Sequence, residues 1–128
     1  MSNPTFNHGP ITFPAAKRLE KFTLVKIEGG KATPASADGA VFGAVTEVAD
    51  PAVTTKPTNI AVHFGHAAVK LKAAGGDAKA FKAGAAVYAA ANGEVSNSGS
   101  VVVGVAVRDG EGDKVLTVLN SLPRPVAG

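Results

Sequence analysis

The chain has 128 residues, 45% of them hydrophobic but only 5% aromatic, with no Cys, no Trp and a formal net charge of +3. That length suits one domain burying roughly two-thirds of its unfolded surface, and the lack of Cys excludes a disulfide framework and a thiolate metal site. The charge is mild and the basic residues are spread along the chain, unlike the clustered, aromatic-interleaved surface of a nucleic-acid binder.

No run approaches the roughly 18 apolar residues of a membrane helix, and the start, Met1-Ser2-Asn3-Pro4, has no basic segment leading into an apolar one. The expectation is a soluble protein with no membrane partner, and the missing Cys fits folding in a reducing cytosol. The hydrophobic content is largely Ala and Val. A core of such small side chains gains less per residue than one of Leu and Phe, so oligomerisation is expected to supplement it.

Residues 1–20 carry Pro4, Pro10 and Pro14 with Asn3, Asn7 and Gly9, which oppose regular helix or a central strand. Phe6, Ile11 and Phe13 stand among them. Three large apolar groups in a Pro-rich stretch suggest either an extended docking arm, ordered against a partner, or a segment packed on its own domain.

Residues 22–27 read as the first strand, closed by Gly29-Gly30, and 31–35 as its short return. Residues 40–48 read as a longer strand in which Gly43 marks a bulge or the close approach of another backbone. A loop at 50–57 leads to strands at 59–63 and 67–72, the second alternating Val69 and Leu71 with Lys70 and Lys72. Gly75-Gly76-Asp77 opens a helical turn through 79–82, with Asp77 as N-cap and Gly84 as stop. Residues 87–91 form a strand, and Asn92-Gly93 is a tight hairpin signal into 94–96. Residues 101–107 are too apolar to leave a face in water, so they predict a central or interface strand. A Gly-rich hairpin at 109–113 leads into a closing strand at 114–119, and 121–128 form a loose tail. The whole predicts an all-β, mainly antiparallel small barrel or sandwich over 21–120 with at most one short helix.

Chemistry-bearing patterns are scarce. His63 and His66 stand three apart and lack evident further metal ligands. Asp109, Glu111 and Asp113 alternate with glycines but miss the spacing and the distal Glu of a calcium loop. No nucleophile elbow and no phosphate-binding loop occur. The reading is a non-enzymatic protein with no cofactor and no metal site. Lys56, Lys70, Lys72, Lys79 and Lys82 outnumber Asp77 in mid-chain, whereas Glu94, Asp109, Glu111 and Asp113 dominate later. These are either solvated surface or complementary faces that meet between copies in a ring.

From residue 22 to 119 the chain resembles the capsid decoration, or cement, proteins of tailed bacteriophages, whose members are often mislabelled as phage recombinases. The resemblance rests on Phe81, Gly84, Val87 and Tyr88 in a Phe-x-x-Gly-x-x-Val-Tyr pattern, then Gly93, Gly104-Val105-Ala106, Gly112, Val115 and Val118. Phe42-Gly43-Ala44-Val45 and Val69-Lys70-Leu71-Lys72-Ala73 are similar to the family's earlier strands. Ala89-Ala90 stand where many members have Trp or Asp after the Tyr, and the Pro-rich arm is longer than the usual start. The resemblance implies a β-tulip-like domain that binds the outside of the mature head as a homotrimer and clamps neighbouring major capsid subunits. It also implies an arm that adds to a sheet of the shell protein, with Phe6, Ile11 and Phe13 as its anchors here. Phe81, Gly84, Val87, Tyr88, Gly93, Gly104 and Val105 would form the structural and oligomer core. The other function considered is a β-barrel adhesion or ligand-binding module displayed on a larger assembly.

Overall fold

A computed structural model describes residues 11–37, 41–52, 58–64 and 67–119. Ten strands follow in order: β1 (Ile11–Pro14), β2 (Thr23–Glu28), β3 (Lys31–Pro34), β4 (Gly43–Val45), β5 (Asn59–Val62), β6 (Ala68–Lys72), β7 (Ala86–Ala89), β8 (Val95–Ser96), β9 (Val102–Ala106) and β10 (Lys114–Leu119). All their ladders are antiparallel. The helical content among the described residues is two three-residue 3-10 turns. The fold is all-β.

The strands form two lobes. In the larger, one sheet runs β6-β10-β9-β7-β8. In the smaller, β3-β2-β4 and β1-β5 are separate sheets. A parallel bridge Ala15–Ala32 links β1 to β3, and Ala44–His63 links β4 to β5. These single bridges draw the five strands into a ring without making a closed barrel.

Each lobe has its own core. The larger contains Leu71, Phe81, Val87, Val95, Val103, Val115 and Leu119, among others, and is mostly Ala and Val. The smaller contains Leu19, Val25, Val45, Ile60 and Val62, with Phe13, Ile27 and Phe42 packed against it. β2 and β4 are the shared wall. Successive residues in a strand face opposite sides, so Leu24 and Ala44 enter the larger core while Val25 and Val45 enter the smaller.

Gly29 and Gly30 both have positive φ. This lets a two-residue turn connect β2 to β3 in the Glu28–Lys31 register. Asn92 (φ 61) and Gly93 (φ 74) turn the chain from β7 to β8, as the sequence indicates. Gly93 is also pressed against β2: a Cβ there would lie 2.2 Å from Thr23 Cγ2 and 2.5 Å from the Leu24 carbonyl oxygen. Gly104 sits where β9 crosses β10 so closely that a Cβ would meet the Val118 carbonyl oxygen at 2.2 Å. A register shift between Val87 and Tyr88 accompanies that crossing.

Three expectations need correction. The strand expected at 40–48 is only three residues long, and Gly43 there serves the close approach of the His63 backbone. Residues 77–82 form no helix. The Ala78 N–H donates to the Gly112 carbonyl and the Gly110 N–H to the Phe81 carbonyl, so the segment docks on the 109–113 hairpin and keeps only a single turn of its own, closed by the Phe81 N–H on the Ala78 carbonyl. Asp77 closes a local turn by accepting the Lys79 N–H at 2.9 Å. Finally, residues 11–20, expected in the arm, fold onto the domain. Ile11–Pro14 pairs with β5, Ala15 and Leu19 are buried, and Leu19 exchanges backbone hydrogen bonds with Ala49. Pro10 and Pro14 bracket a three-residue window whose N–H groups are intact, which is enough for a short strand. Residues 1–10, with Phe6, and 120–128, with the whole of the tail, lie outside the described residues.

Candidate docking surfaces

The five-stranded sheet has one buried face and one open face. β6 alternates Val69 and Leu71 inward with Ala68, Lys70 and Lys72 outward. β10 buries Val115, Thr117 and Leu119 and turns Lys114, Leu116 and Val118 outward. The ladders then order the open face: Lys72 beside Lys114, Lys70 beside Leu116, and Ala68 beside Val118. Val118 faces Val105, Val105 faces Ala86, and Tyr88 faces Val102. The expected central position of the 101–107 strand is found, between β10 and β7. Its outer side is not covered by the other described residues: Val102, Val105, Val107 and Val118 are 37–47% exposed. They are all the exposed large hydrophobics among the described residues.

One end of this face is charged. Lys70, Arg108, Asp109, Glu111, Lys114 and Leu116 surround an open hollow of about 220 Å³. Lys70, of the mid-chain lysines, therefore lines the same hollow as the late carboxylates Asp109 and Glu111. Lys72 Nζ also lies 3.8 Å from Glu94 Oε2. Lys114 Nζ donates to Asp113 Oδ1 at 2.9 Å, and that hydrogen bond chiefly holds the Asp113 carboxyl below its ordinary range. The same ammonium stands 5.5 Å from the centroid of the Phe22 ring, a cation–π geometry. Phe22 has a positive φ of 67°. Its N–H donates to the Val45 carbonyl and its carbonyl accepts the Lys72 N–H, and these bonds on both sides hold the strained backbone. Asp109 Oδ1 accepts the Ala83 N–H at 2.9 Å, which fixes the hairpin tip against the loop before β7.

The second surface surrounds the start of β1. Ile11 and Phe13 lie on the inward side of the strand, opposite Val62 and Ile60. Phe13 meets Phe42 edge-on at 5.2 Å, and Phe42 meets Phe64 at 5.7 Å. The three rings are half-buried and so present an aromatic rim close to where residues 1–10 join the domain. Arg18 braces the far side of this segment, donating from Nε to Glu20 Oε1 at 2.7 Å and from Nη1 to Asp50 Oδ2 at 3.4 Å. Its guanidinium is held further toward the charged form, first by the Glu20 hydrogen bond.

The remaining residues singled out in the sequence divide by role. Phe81 and Val87 are in the larger core. Tyr88 and Val105 belong to the open face, not to the core, and Gly84 is an exposed turn residue whose N–H donates to the Ala106 carbonyl. His63 is half-buried and held by paired backbone bonds to Ala44, while His66 lies outside the described residues. No group of three or more metal-ligating side chains occurs among the described residues. Sequence reasoning reached residues 101–107 as a central or interface strand but missed Leu116 and Val118 as members of the same surface. The signal was there: apolar residues on both parities of β10 imply that both faces of the strand are covered by something.

An all-β, two-lobed scaffold with an open apolar sheet face and a half-open aromatic rim is what the geometry defines. Searches of protein-family models and of curated proteins find no match to the sequence. Among solved structures the fold is similar to the N base of the head fiber gp8.5 of bacteriophage phi29. The TM-score is 0.65 at 17% identity, over 93% of this chain and 98% of that one.

Proposed function

We propose that this protein is a structural component of a tailed-phage head: a decoration, or cement, protein that binds the outer surface of the mature shell and stabilises it. The observation that carries the reading is the near full-length fold likeness to a head-fiber base. The pattern Phe81, Gly84, Val87, Tyr88 and Gly93 supports it independently from the sequence side. In this reading the partners are the major capsid protein and two further copies of the chain, and the task is to clamp neighbouring capsid subunits. The role is non-enzymatic and needs no cofactor. The protein is made in the host cytoplasm and ends on the virion.

The arm retains a part in this reading, confined to residues 1–10. Ile11 and Phe13 are committed to the domain, so Phe6 and its neighbours in residues 1–10 are the anchor offered to the shell, adding as a strand to a shell sheet. Three arms on one trimer multiply a weak single contact by avidity. The likeness to a fiber base also favours a second reading, a module displayed on a larger head-bound assembly.

The test is cosedimentation with expanded heads lacking their own decoration protein. The full chain is expected to pellet with heads, and deletion of residues 1–10 to abolish pelleting while the circular dichroism of the domain is retained. Absence of pelleting by the intact chain would sink the head-binding reading. Unchanged pelleting of the deletion would remove the arm from it.

A further inference from the structure

The open face of the five-stranded sheet is the least explained surface of the domain. Its centre is a row across four strands, Ala68, Val118, Val105 and Ala86, flanked by Leu116 and Val107 on one side. No charge falls within that row. Isolated exposed valines need no explanation, but a contiguous apolar patch rimmed by polar groups marks an interaction surface. Here every exposed large hydrophobic among the described residues belongs to the same patch.

We infer that this face joins copies of the chain to one another. The inference rests on the homotrimer of the proposed function and names the surface that makes it. Two observations favour a second copy over other occupants. The rim carries both signs close together, Lys70 and Arg108 beside Asp109 and Glu111, so the basic groups of one copy can be set against the acidic groups of the next around a ring. A partner of one sign would leave half of these charges opposed. Lys70, Arg108 and Glu111 have no ion-pair partner among the described residues, whereas Lys72 and Lys114 are already engaged. The second observation is the core. Its Ala and Val side chains are divided between two lobes, and small side chains gain less per residue on burial than Leu or Phe, so added burial between copies contributes to stability. The joined face therefore has an apolar centre made by Val105, Val118 and Leu116, with Lys70 of one copy set against Glu111 of the next.

Sedimentation equilibrium of the full chain over a range of concentrations tests this. The wild type is expected to associate, and the double variant Val105→Lys, Val118→Lys to associate about tenfold or more weakly, with unchanged circular dichroism and a thermal midpoint that no longer rises with concentration as the wild type's does. Should the lysine pair disturb folding, Val105→Thr with Val118→Thr keeps β-branched side chains and removes apolar surface. Lys70→Glu and Glu111→Lys are each expected to weaken association and together to restore it. A wild type that remains monomeric at its highest soluble concentration overturns the inference. So does association that a folded Val105/Val118 variant leaves unchanged. If the wild type is monomeric and the variant loses head binding, the face meets the shell, which also overturns the joining of copies. Association without any head binding leaves this inference standing while the head reading fails.

Discussion

Leu24 and Val25 are neighbours in β2, yet Leu24 packs in the larger core and Val25 in the smaller. One strand thus supports two cores, and neither lobe can lose it without the other. The expected consequence is a single cooperative unfolding transition. Leu24→Ala removes a fully buried side chain and should cost about 2–5 kcal/mol, and Val25→Ala somewhat less. Both variants should lower the midpoint of one shared transition in calorimetry. Two separate transitions, with only one displaced by each substitution, would show that the wall is not shared energetically.

Gly93 and Gly104 are expected to tolerate no side chain. At Gly104 an added methyl meets the backbone of β10, which can move only by breaking the ladder, and Gly104→Ala should cost about 1–3 kcal/mol. Gly93→Ala adds the penalty of a left-handed backbone, about 1–2 kcal/mol, to a clash with Thr23 and Leu24. Gly112 separates the two effects. It has a positive φ but nothing within 4 Å of its missing Cβ, so Gly112→Ala should show the backbone penalty alone. Chemical denaturation of the three variants ranks them, with Gly93→Ala the least stable.

The Asp113–Lys114 contact gives a pH dependence of known sign. Asp113 is held below its ordinary value of 3.8, first by the Lys114 hydrogen bond, with partial desolvation opposing it. A lowered folded-state value adds stability that is present above the unfolded value and disappears as pH falls through the folded one. The effect therefore belongs to the acid limb, from about pH 4 downward. In Lys114→Met the Asp113 carboxyl should titrate at higher pH, read from its carbon chemical shift by NMR. An unchanged titration would mean that Lys114 does not hold the proton off.

Truncations from the N-terminus should divide sharply at residue 10. Removing residues 1–10 spares β1 and is expected to leave thermal stability nearly unchanged. Removing residues 1–20 deletes β1 and the buried Ala15 and Leu19, and should unfold the smaller lobe or at least lower the midpoint strongly. Proteolysis in parallel would distinguish a loosened lobe from an intact one. Equal stability of the two truncations would show that β1 contributes little.

Much of the fold was legible because local signals agreed with the tertiary result. The closing strand, Lys114–Leu119, matches its expected bounds, since a Gly-rich turn precedes an apolar run of strand length. Gly29-Gly30 and Asn92-Gly93 mark their turns for steric reasons that hold in any context. The failures were non-local. The Ala78 N–H and Phe81 carbonyl find partners in a hairpin some thirty residues away, and no local reading of Asp77 could anticipate that. Pro14 argued against a central strand, and β1 is a short strand that ends at it, so the missing N–H costs little. For the candidate surfaces, the apolar character of residues 101–107 pointed to the right strand. Which of its valines remain open depends on the register shift beside Gly104, and that depends on the backbone of β10.

The position of β10 has a consequence for synthesis. Tenth in sequence, it lies between the sixth and ninth strands. While residues up to 113 have emerged from the ribosome, β6 and β9 have no ladder between them, and Val69, Leu71 and Val103 lack the strand that completes their layer. The larger sheet can therefore close only after residue 119 has cleared the exit tunnel. Its pairings are long-range and correspondingly slow, so the growing chain carries unpaired edges on β6 and β9 until β10 is available.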